Sequence, residues 1–250
     1  MTVILETRGL AKRFGGLIAT DNVSLKVTRG ARHALIGPNG AGKTTLVNQL
    51  TGVLPPTEGR ILLDGQDITR LSPEARVKRG LVRTFQINQL FPTLTPLEAL
   101  TLTIGERRGT GRDLWRPVGA HSDIIAEAEA VAGTFRLRDV LDMRTAALPY
   151  GKQRLLEIAL AVAARPRVLL LDEPAAGVPE ADRQELLSTI AALPADVTVV
   201  LIEHDMDIVF RFADRITVLV NGAVFADGAP KDIASDPRVK AVYLGEAHHG

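Results

Sequence analysis

An eight-residue loop at Gly37 constrains the fold of this 250-residue chain more than any other feature. The stretch Gly37-Pro-Asn-Gly-Ala-Gly-Lys-Thr44 matches the pattern G-x-x-x-x-G-K-[ST] at every fixed position. A chain of this length contains such a match by chance with a probability of roughly 1%. A β-rich run ends at Ile36, and residues 43–50 follow with helical spacing. The sequence therefore predicts a strand, a phosphate-binding loop and a helix within an α/β fold.

The chemistry of phosphate explains this spacing. Glycines let the backbone wrap around phosphate oxygens, and N–H groups at a helix start form a partially positive cradle. We expect Lys43 to place its ammonium between the β- and γ-phosphates, Thr44 to coordinate Mg2+, and Thr45 to contact the α-phosphate. The residues predicted to bind the phosphates are Gly37, Pro38, Asn39, Gly40, Ala41, Gly42, Lys43, Thr44 and Thr45. A plain glycine-rich turn is the alternative, and the flanking strand and helix disfavour it.

Two further apolar runs end in polar residues. The run 168–171 ends in Asp172 and Glu173, and the run 197–202 is followed by Glu203 and His204. Parallel strands bind ligands at their carboxyl ends, so these side chains are expected beside the phosphate loop. We expect Asp172 to hold Mg2+ through water, Glu173 to orient the attacking water as general base, and His204 to sense the γ-phosphate. Taken alone, a histidine at this place would more often have a structural role, and an apolar run that ends in Asp-Glu would as often be a solvated turn.

The pattern along the chain changes twice. Short β-rich runs fill residues 2–63, helical spacing dominates residues 87–165, and strands alternate with helices from residue 168. We therefore predict a nucleotide-binding core, residues 1–86 and 166–250, interrupted by a helical subdomain, residues 87–165. Residues 105–121 contain Gly, Arg, Pro and the only Trp, and are expected to form a surface loop.

Composition excludes several classes of function. Thirty basic and 29 acidic residues leave a formal charge of +1, so no global field favours nucleic acid as a partner. The absence of cysteine excludes disulfides, thiolate metal sites and thiol nucleophiles. The opening residues show no secretion signal, and the most apolar stretch, 155–171, is interrupted by charges and too short to span a bilayer. We expect any membrane role to come through partners.

The motifs occur in the order seen in the nucleotide-binding domains of ABC transporters, which the chain resembles over nearly its whole length. They are the phosphate loop, Gln86, residues 150–154, Asp172-Glu173 and His204. Within that family the chain is most similar to the G-type ATPase subunits of branched-chain amino-acid importers, through residues 173–177, 203–206, 213–216 and 236–246. The resemblance implies one ABC-type domain over residues 1–250, with a P-loop NTPase core, an N-terminal β-rich lobe and an inserted helical subdomain.

The resemblance also implies roles for two residues outside these strand ends. Gln86 corresponds to the glutamine that touches Mg2+ and links the core to the helical lobe, so it joins Glu173 and His204 as a catalytic candidate. Phe14 corresponds to the aromatic residue that stacks on adenine. A phenylalanine packed in the core is the alternative for Phe14.

The family's signature loop, Leu-Ser-Gly-Gly-Gln, reaches the nucleotide bound by the other subunit. Here the matching residues are Leu148, Pro149, Tyr150, Gly151 and Lys152, of which only Leu148 and Gly151 agree. Pro149 has neither a hydroxyl nor an N–H to donate, although it fits the first position of a helix, and Lys152 is a candidate substitute donor. The aspartate that usually follows the acid motif is also absent, so unusual communication between the two ATP sites is expected. Pro149 in addition predicts functionally unequal sites in a mixed dimer.

The resemblance implies ATP and Mg2+ as cofactors and several protein partners. These are a second ABC ATPase subunit, either a copy or a paralogue, transmembrane permease subunits and, indirectly, an extracytoplasmic substrate-binding protein, with no nucleic acid. The expected location is the cytoplasmic face of the inner or plasma membrane. The permease is expected to dock beside Gln86 and residues 87–102. The apolar residues of this segment are more than one helical face could bury: Leu90, Phe91, Leu94 and Leu97. Ordinary packing within the lobe is the alternative.

Other functions remain as alternatives. Urea, short amides and aromatic acids are further candidate substrates, because related ATPase subunits serve them. A soluble DNA-maintenance ATPase would carry coiled coils, a zinc module or a basic surface, and a translation-associated ABC protein would carry two cores. A GTPase would need a guanine-reading Asn-Lys-x-Asp motif. The sequence contains none of these features.

Overall fold

The structure, a computed structural model, describes residues 2–84, 90–110 and 122–246. Its strands are β1 (Val3–Phe14), β2 (Leu17–Val23), β3 (Lys26–Thr28), β4 (Arg32–Ile36), β5 (Glu58–Leu63), β6 (Gln66–Asp67), β7 (Leu81–Arg83), β8 (Val168–Asp172), β9 (Thr198–Ile202), β10 (Arg215–Val220) and β11 (Ala223–Gly228). Its α-helices are α1 (Lys43–Thr51), α2 (Pro73–Lys78), α3 (Pro96–Arg108), α4 (Ser122–Thr134), α5 (Tyr150–Ala163), α6 (Glu180–Ala191), α7 (Met206–Phe212), α8 (Pro230–Ser235) and α9 (Pro237–Glu246).

The chain forms two compact units. The first comprises residues 1–83, 167–173 and 194–250, and the second comprises residues 84–166 and 174–193. The second unit includes α6, which packs against α5.

Two sheets organise the first unit. The smaller sheet is antiparallel, with strand order β2-β1-β5-β6 and β3 paired to β1. The larger sheet has the order β11-β10-β4-β9-β8-β7, in which only β11 is antiparallel. Every residue of β8 and β9 is buried, as expected for parallel strands that are covered on both faces. Their carboxyl ends meet in register, with Asp172 opposite Ile202.

Successive residues of β4 contribute to two different cores. Leu35 packs with β1, β5 and α1, whereas Ala34 and Ile36 pack with α7, β10 and α8. This division follows from the alternation of side chains along a strand. Apolar side chains therefore pack on both faces of β4, the strand that leads into the phosphate loop.

His33 is a buried polar residue of the same strand. Its Nε2 lies 2.7 Å from the Thr217 hydroxyl, which donates to Asp227. The pKa of His33 is lowered to about 4, mainly because the side chain is buried. The charge of Asp227 raises this pKa, and the charge of Arg215 lowers it by a smaller amount. His33 is therefore neutral at physiological pH.

The second unit is helical. Helix α3 begins with a capping box between Thr95 and Glu98, a strong N-terminal signal in sequence. The sequence predicted a surface loop over residues 105–121, but residues 105–108 belong to this helix. Residues 111–121 lie outside the described part of the chain. Within this unit, Glu127 of α4 accepts hydrogen bonds from Arg107, Arg108 and Arg165. No helix of the described residues is long and apolar enough to cross a membrane.

Candidate functional site

The phosphate loop connects β4 to α1, as the sequence predicts. A Cβ on Gly37 would lie 2.2 Å from the Leu219 carbonyl oxygen, and a Cβ on Gly42 would lie 2.4 Å from that of Ala19. Gly42 also has a φ of 96°, a region that favours glycine. At Gly40, by contrast, no neighbouring atom lies within 4 Å of the Cβ position. The loop is packed against strands at its two ends and open in the middle, a shape that suits a bound phosphate.

The ammonium group of Lys43 contacts the backbone of this loop. It donates to the carbonyl oxygens of Gly37, at 2.5 Å, and Pro38, at 2.9 Å. The cation therefore lies at the loop itself, next to the N–H groups at the start of α1. Positive charge and backbone donors at one helix start favour an anion.

The acid pair lies at the carboxyl end of β8. Asp172 is its last residue and is buried, whereas the Glu173 side chain is 24% exposed. Glu173 adopts a φ of 45°, which is uncommon outside glycine and is often found at functional sites. Its backbone N–H donates to the carbonyl oxygen of Ile202 at 2.9 Å. This bond ties the end of β8 to the end of β9.

Arg83 connects the acid pair to the phosphate-loop helix. One guanidinium nitrogen lies 2.5 Å from Asp172 Oδ2, and another donates to Asn48 Oδ1 of α1 at 2.7 Å. Arg83 is a residue of the site that sequence reasoning missed. Arg83 and Asp172 are 89 residues apart, so no local sequence pattern predicts that they pair. The one available indication is that Arg83 ends β7, the strand that pairs with β8.

The structure brings His204 and Glu173 together. Nδ1 of His204 lies 3.8 Å from Glu173 Oε1 and 3.9 Å from Glu203 Oε2, and the imidazole is 67% exposed. Glu203 is only 2% exposed and accepts a hydrogen bond from the His204 backbone. No role for Glu203 is predictable from the sequence pattern alone. His204 is thus an accessible donor or acceptor beside the predicted base.

Phe14 lies at the end of β1 and is 49% exposed, so it is not a core residue. The Lys12 ammonium lies 5.2 Å from the centroid of its ring. The ring is accessible for stacking, and its role toward adenine stays a prediction. Gln86, the other residue assigned by resemblance, lies outside the described residues.

The residues present fit a magnesium ion that is bound together with phosphate. Thr44 is exposed at the start of α1, and Asp172 supplies a carboxylate at the end of β8, which is separated from β4 by β9 in the same sheet. Among the described residues, no group of three His, Cys, Asp or Glu residues is placed to hold a metal alone. Mg2+ typically takes one or two protein oxygens, with water and phosphate completing its shell. This donor set therefore suits a nucleotide-bound Mg2+ rather than a metal caged by the protein.

The start of α5 differs from one expectation about the signature loop, and Lys152 makes contacts that the sequence did not indicate. Pro149 is the residue before α5 rather than its first residue, since its ψ of 147° is extended. The Lys152 ammonium donates to the Arg136 carbonyl oxygen at 2.5 Å and lies 3.3 Å from Asp139. Lys152 is therefore engaged within its own unit, and its predicted use as a phosphate donor would require breaking these contacts. Tyr150 and Gly151 form the first turn of α5.

A phosphate loop between strand and helix, with an acid pair at the end of a parallel strand in the same sheet, defines a P-loop nucleoside triphosphatase. Residues 20–176 match the family model described as ABC transporter. Residues 223–249 match the one described as branched-chain amino acid ATP-binding cassette transporter. The chain belongs to the ABC transporter family.

Similarity to individual relatives extends over almost the whole chain. The chain is 43% identical to the high-affinity branched-chain amino acid transport ATP-binding protein BraF of Pseudomonas aeruginosa, with 98% of each covered. It is 40% identical to the corresponding LivG protein of Escherichia coli, again over 98% of each.

Solved structures show the same fold. One is an ATP-binding cassette of an ABC transporter in its ADP conformation, with a TM-score of 0.84, 33% identity and coverage of 98% of this chain and 100% of that one. Another is a nucleotide-free cassette, with a TM-score of 0.83, 32% identity and coverage of 97% and 99%. The predicted family and fold class are confirmed, and the chain is an ABC-type ATPase.

Proposed function

We propose that this ATPase powers a membrane importer for branched-chain or other hydrophobic amino acids. The observation that carries the proposal is the similarity over 98% of the chain to two ATP-binding proteins of branched-chain amino acid transport. The match of residues 223–249 to the branched-chain family model supports it. Urea, short amides and aromatic acids are the competing substrates.

In this proposal the phosphate loop binds the triphosphate and Glu173 orients the attacking water. The open cradle at Gly40 and the ammonium of Lys43 at the loop support the first role. Two observations support the second role. The carboxylate of Glu173 is partly exposed and lies 3.8 Å from His204 Nδ1, and the Glu173 backbone is bonded to the end of β9. His204 would then donate to or accept from the γ-phosphate region, and Phe14 would stack on adenine.

Thr44 and Asp172 would hold Mg2+, together with Gln86. When bound, Mg2+ would neutralise charge on the phosphate oxygens. Arg83 would keep the Asp172 carboxylate oriented, since it holds one carboxylate oxygen from the side of β7.

The proposed partners are a second ABC ATPase subunit, permease subunits and an extracytoplasmic binding protein. Binding to the permease would place this chain at the cytoplasmic face of the inner or plasma membrane. Phe91 is 69% exposed, which supports a docking role for the segment that begins near residue 87. The core of residues 1–86 and 166–250 would bind nucleotide, and the helical subdomain would contact the permease.

Glu173→Gln tests the catalytic assignment. We expect unchanged ATP affinity and hydrolysis lowered about 10²- to 10⁴-fold, because glutamine keeps the shape but removes the base. Glu129→Gln, on the exposed side of α4, is the matched control and should hydrolyse normally. Hydrolysis by Glu173→Gln within twofold of wild type would contradict the assignment.

The transported substrate needs a separate experiment. The proteins that co-purify with this chain from detergent-solubilised membranes would be reconstituted in vesicles with ATP inside. We expect leucine, isoleucine or valine to be taken up and to stimulate ATP hydrolysis. Stimulation by urea, an amide or an aromatic acid alone would replace the amino-acid assignment.

A further inference from the structure

The turn between β10 and β11 is bonded to the phosphate loop. It consists of Asn221 and Gly222, since the flanking residues Val220 and Ala223 pair with each other. Both turn residues have a positive φ, 49° and 80°, as in the type I′ turns that the sequence Asn-Gly favours. The Gly222 N–H donates to the carbonyl oxygen of Ala41 at 3.0 Å. Ala41 is a buried residue of the phosphate loop, so this loop is bonded to a turn that is distant in sequence.

The same turn is also bonded to β2. The carbonyl oxygen of Gly222 accepts a hydrogen bond from the Asp21 N–H at 2.8 Å. β2 is itself fixed to the phosphate-loop helix, because the buried Thr20 hydroxyl donates to Gln49 Oε1 of α1 at 3.0 Å. The N–H and the carbonyl group of Gly222 therefore join the phosphate loop to a strand of the smaller sheet.

The carbonyl oxygen of Ala19 in β2 lies against both the turn and the start of α1. A Cβ on Gly222 would lie 2.9 Å from this oxygen and 3.1 Å from the Cα of Thr20. A Cβ on Gly42 would meet the same oxygen and would lie 3.3 Å from the Cα of Gly222. A glycine of the turn and a glycine of the loop therefore approach one backbone carbonyl, and neither position leaves room for a side chain.

These contacts determine where the phosphate loop ends. Ala41 and Gly42 directly precede Lys43, the first residue of α1. The N–H groups at this helix start and the Lys43 ammonium are the predicted phosphate donors. A shift of the turn relative to β2 would reach the loop through the hydrogen bond to Ala41 and the contact with Gly42.

We propose that Gly222 is a positioning residue for nucleotide binding: it holds the end of the phosphate loop against β2, where the N–H groups at the start of α1 can bind phosphate. The inference rests on the proposed role of the phosphate loop. Gly222 acts through Ala41 and Gly42 and not through a contact of its own with the nucleotide. A glycine is required there both for the positive φ and for the missing Cβ.

The test compares Gly222→Ala with wild type in the assembled transporter complex. The added Cβ must push the turn away from Ala19, which weakens the bond to Ala41. We expect KM for ATP to rise about two- to tenfold, as for the loss of one neutral hydrogen bond, with kcat within about twofold of wild type. Inorganic triphosphate, added as a competitive inhibitor, should lose affinity by the same factor, because it has the phosphates but no adenine.

The matched control is Gly65→Ala, in the turn between β5 and β6 of the same unit. Asp64 and Gly65 also form a two-residue turn, with a positive φ of 51° and 76°. At Gly65, however, no neighbouring atom of the described residues lies within 4 Å of the Cβ position. This variant has the same backbone penalty without the clash, so its KM should equal that of wild type.

A second variant, Gly222→Asn, guards against a loss of folding. Asparagine tolerates a positive φ better than alanine does, but its Cβ still meets the Ala19 carbonyl group. KM for ATP should therefore rise in this variant too, while the fold is better preserved.

Several results would overturn the inference. They are an unchanged KM in both Gly222 variants, with or without a fall in thermal stability, and an equal rise of KM in Gly65→Ala. Weaker ATP binding with unchanged affinity for inorganic triphosphate would also overturn it, because the turn would then act through β2 on the adenine side. Unchanged ATP affinity in Lys43→Ala would instead refute the proposed role of the phosphate loop.

Discussion

Arg76 of α2 donates hydrogen bonds to the last turn of the phosphate-loop helix α1, and replacing it by lysine should destabilise the first unit. The side chain is 1% exposed, although it is a guanidinium. It donates to four backbone carbonyl oxygens, those of Gln49 at 2.6 Å, Leu50 at 2.5 Å, Leu71 at 3.1 Å and Thr69 at 2.8 Å. The first two belong to the last turn of α1, where a helix leaves carbonyl groups to be satisfied from outside its own ladder. The Gln49 oxygen also accepts from the N–H of the C-cap residue Gly52 at 3.2 Å.

The magnitude follows from the number of bonds that lysine cannot replace. A planar guanidinium reaches acceptors on several sides at once, whereas an ammonium is a compact point charge. We expect Arg76→Lys to lose at least two of the four bonds. Each bond to a charged donor contributes about 1.5 to 3 kcal/mol, so the loss of two should lower the free energy of unfolding by about 3 to 6 kcal/mol. Nucleotide affinity should stay within about threefold, because Lys43 and the loop are held by separate contacts.

Urea unfolding followed by circular dichroism measures this change. With an m-value of about 2 to 3 kcal/mol/M, the midpoint for the first unit should fall by about 1 to 3 M. Arg79→Lys is the matched control, since Arg79 follows α2 and makes one exposed hydrogen bond to Ala75. Its effect should stay within about 0.5 kcal/mol. The reasoning is refuted if Arg76→Lys changes the free energy of unfolding by less than about 1 kcal/mol.

Three further substitutions test the docking segment, the signature loop and the buried histidine. Phe91→Glu should abolish co-purification with the permease while ATP binding by the isolated subunit is kept, because the ring is 69% exposed; loss of folding would instead favour ordinary packing within the lobe. Pro149→Ser adds a hydroxyl and an N–H at the α5 start, and one charge-assisted bond of about 1.5 to 3 kcal/mol would raise ATP turnover of the complex about tenfold or more. Unchanged turnover and ATP-driven dimerisation would make Pro149 a neutral variation. The pKa of His33 falls from 6.5 to about 4 on folding, so its neutral form stabilises the protein above pH 6.5, and about 3 kcal/mol of this is lost as pH falls toward 4. His33→Gln should therefore lose less stability than wild type between pH 7 and pH 4.5 in urea unfolding, and an equal loss would contradict the effect of burial.

Local sequence patterns determined the strand, loop and helix around Gly37 and the position of the acid pair. The run 168–171 is apolar throughout because β8 is buried on both faces, and Asp172 necessarily falls at its carboxyl end. His204 follows β9 by the same reasoning. Since parallel strands end at one sheet edge, residues far apart in sequence were predicted to be neighbours. The family was also recognisable from these motifs.

The tertiary structure alone decided which long polar side chains pair with one another. Arg83 meets Asp172 across 89 residues, and the Lys152 ammonium donates to the Arg136 carbonyl oxygen. The contact of Tyr150 with Ala176 likewise depends on how α5 and the loop before α6 pack. Periodicity records which face of an element is buried, but the partner of a flexible charged or aromatic side chain depends on which segments pack beside it. That packing is a sum of many distant contacts, and no local pattern encodes it.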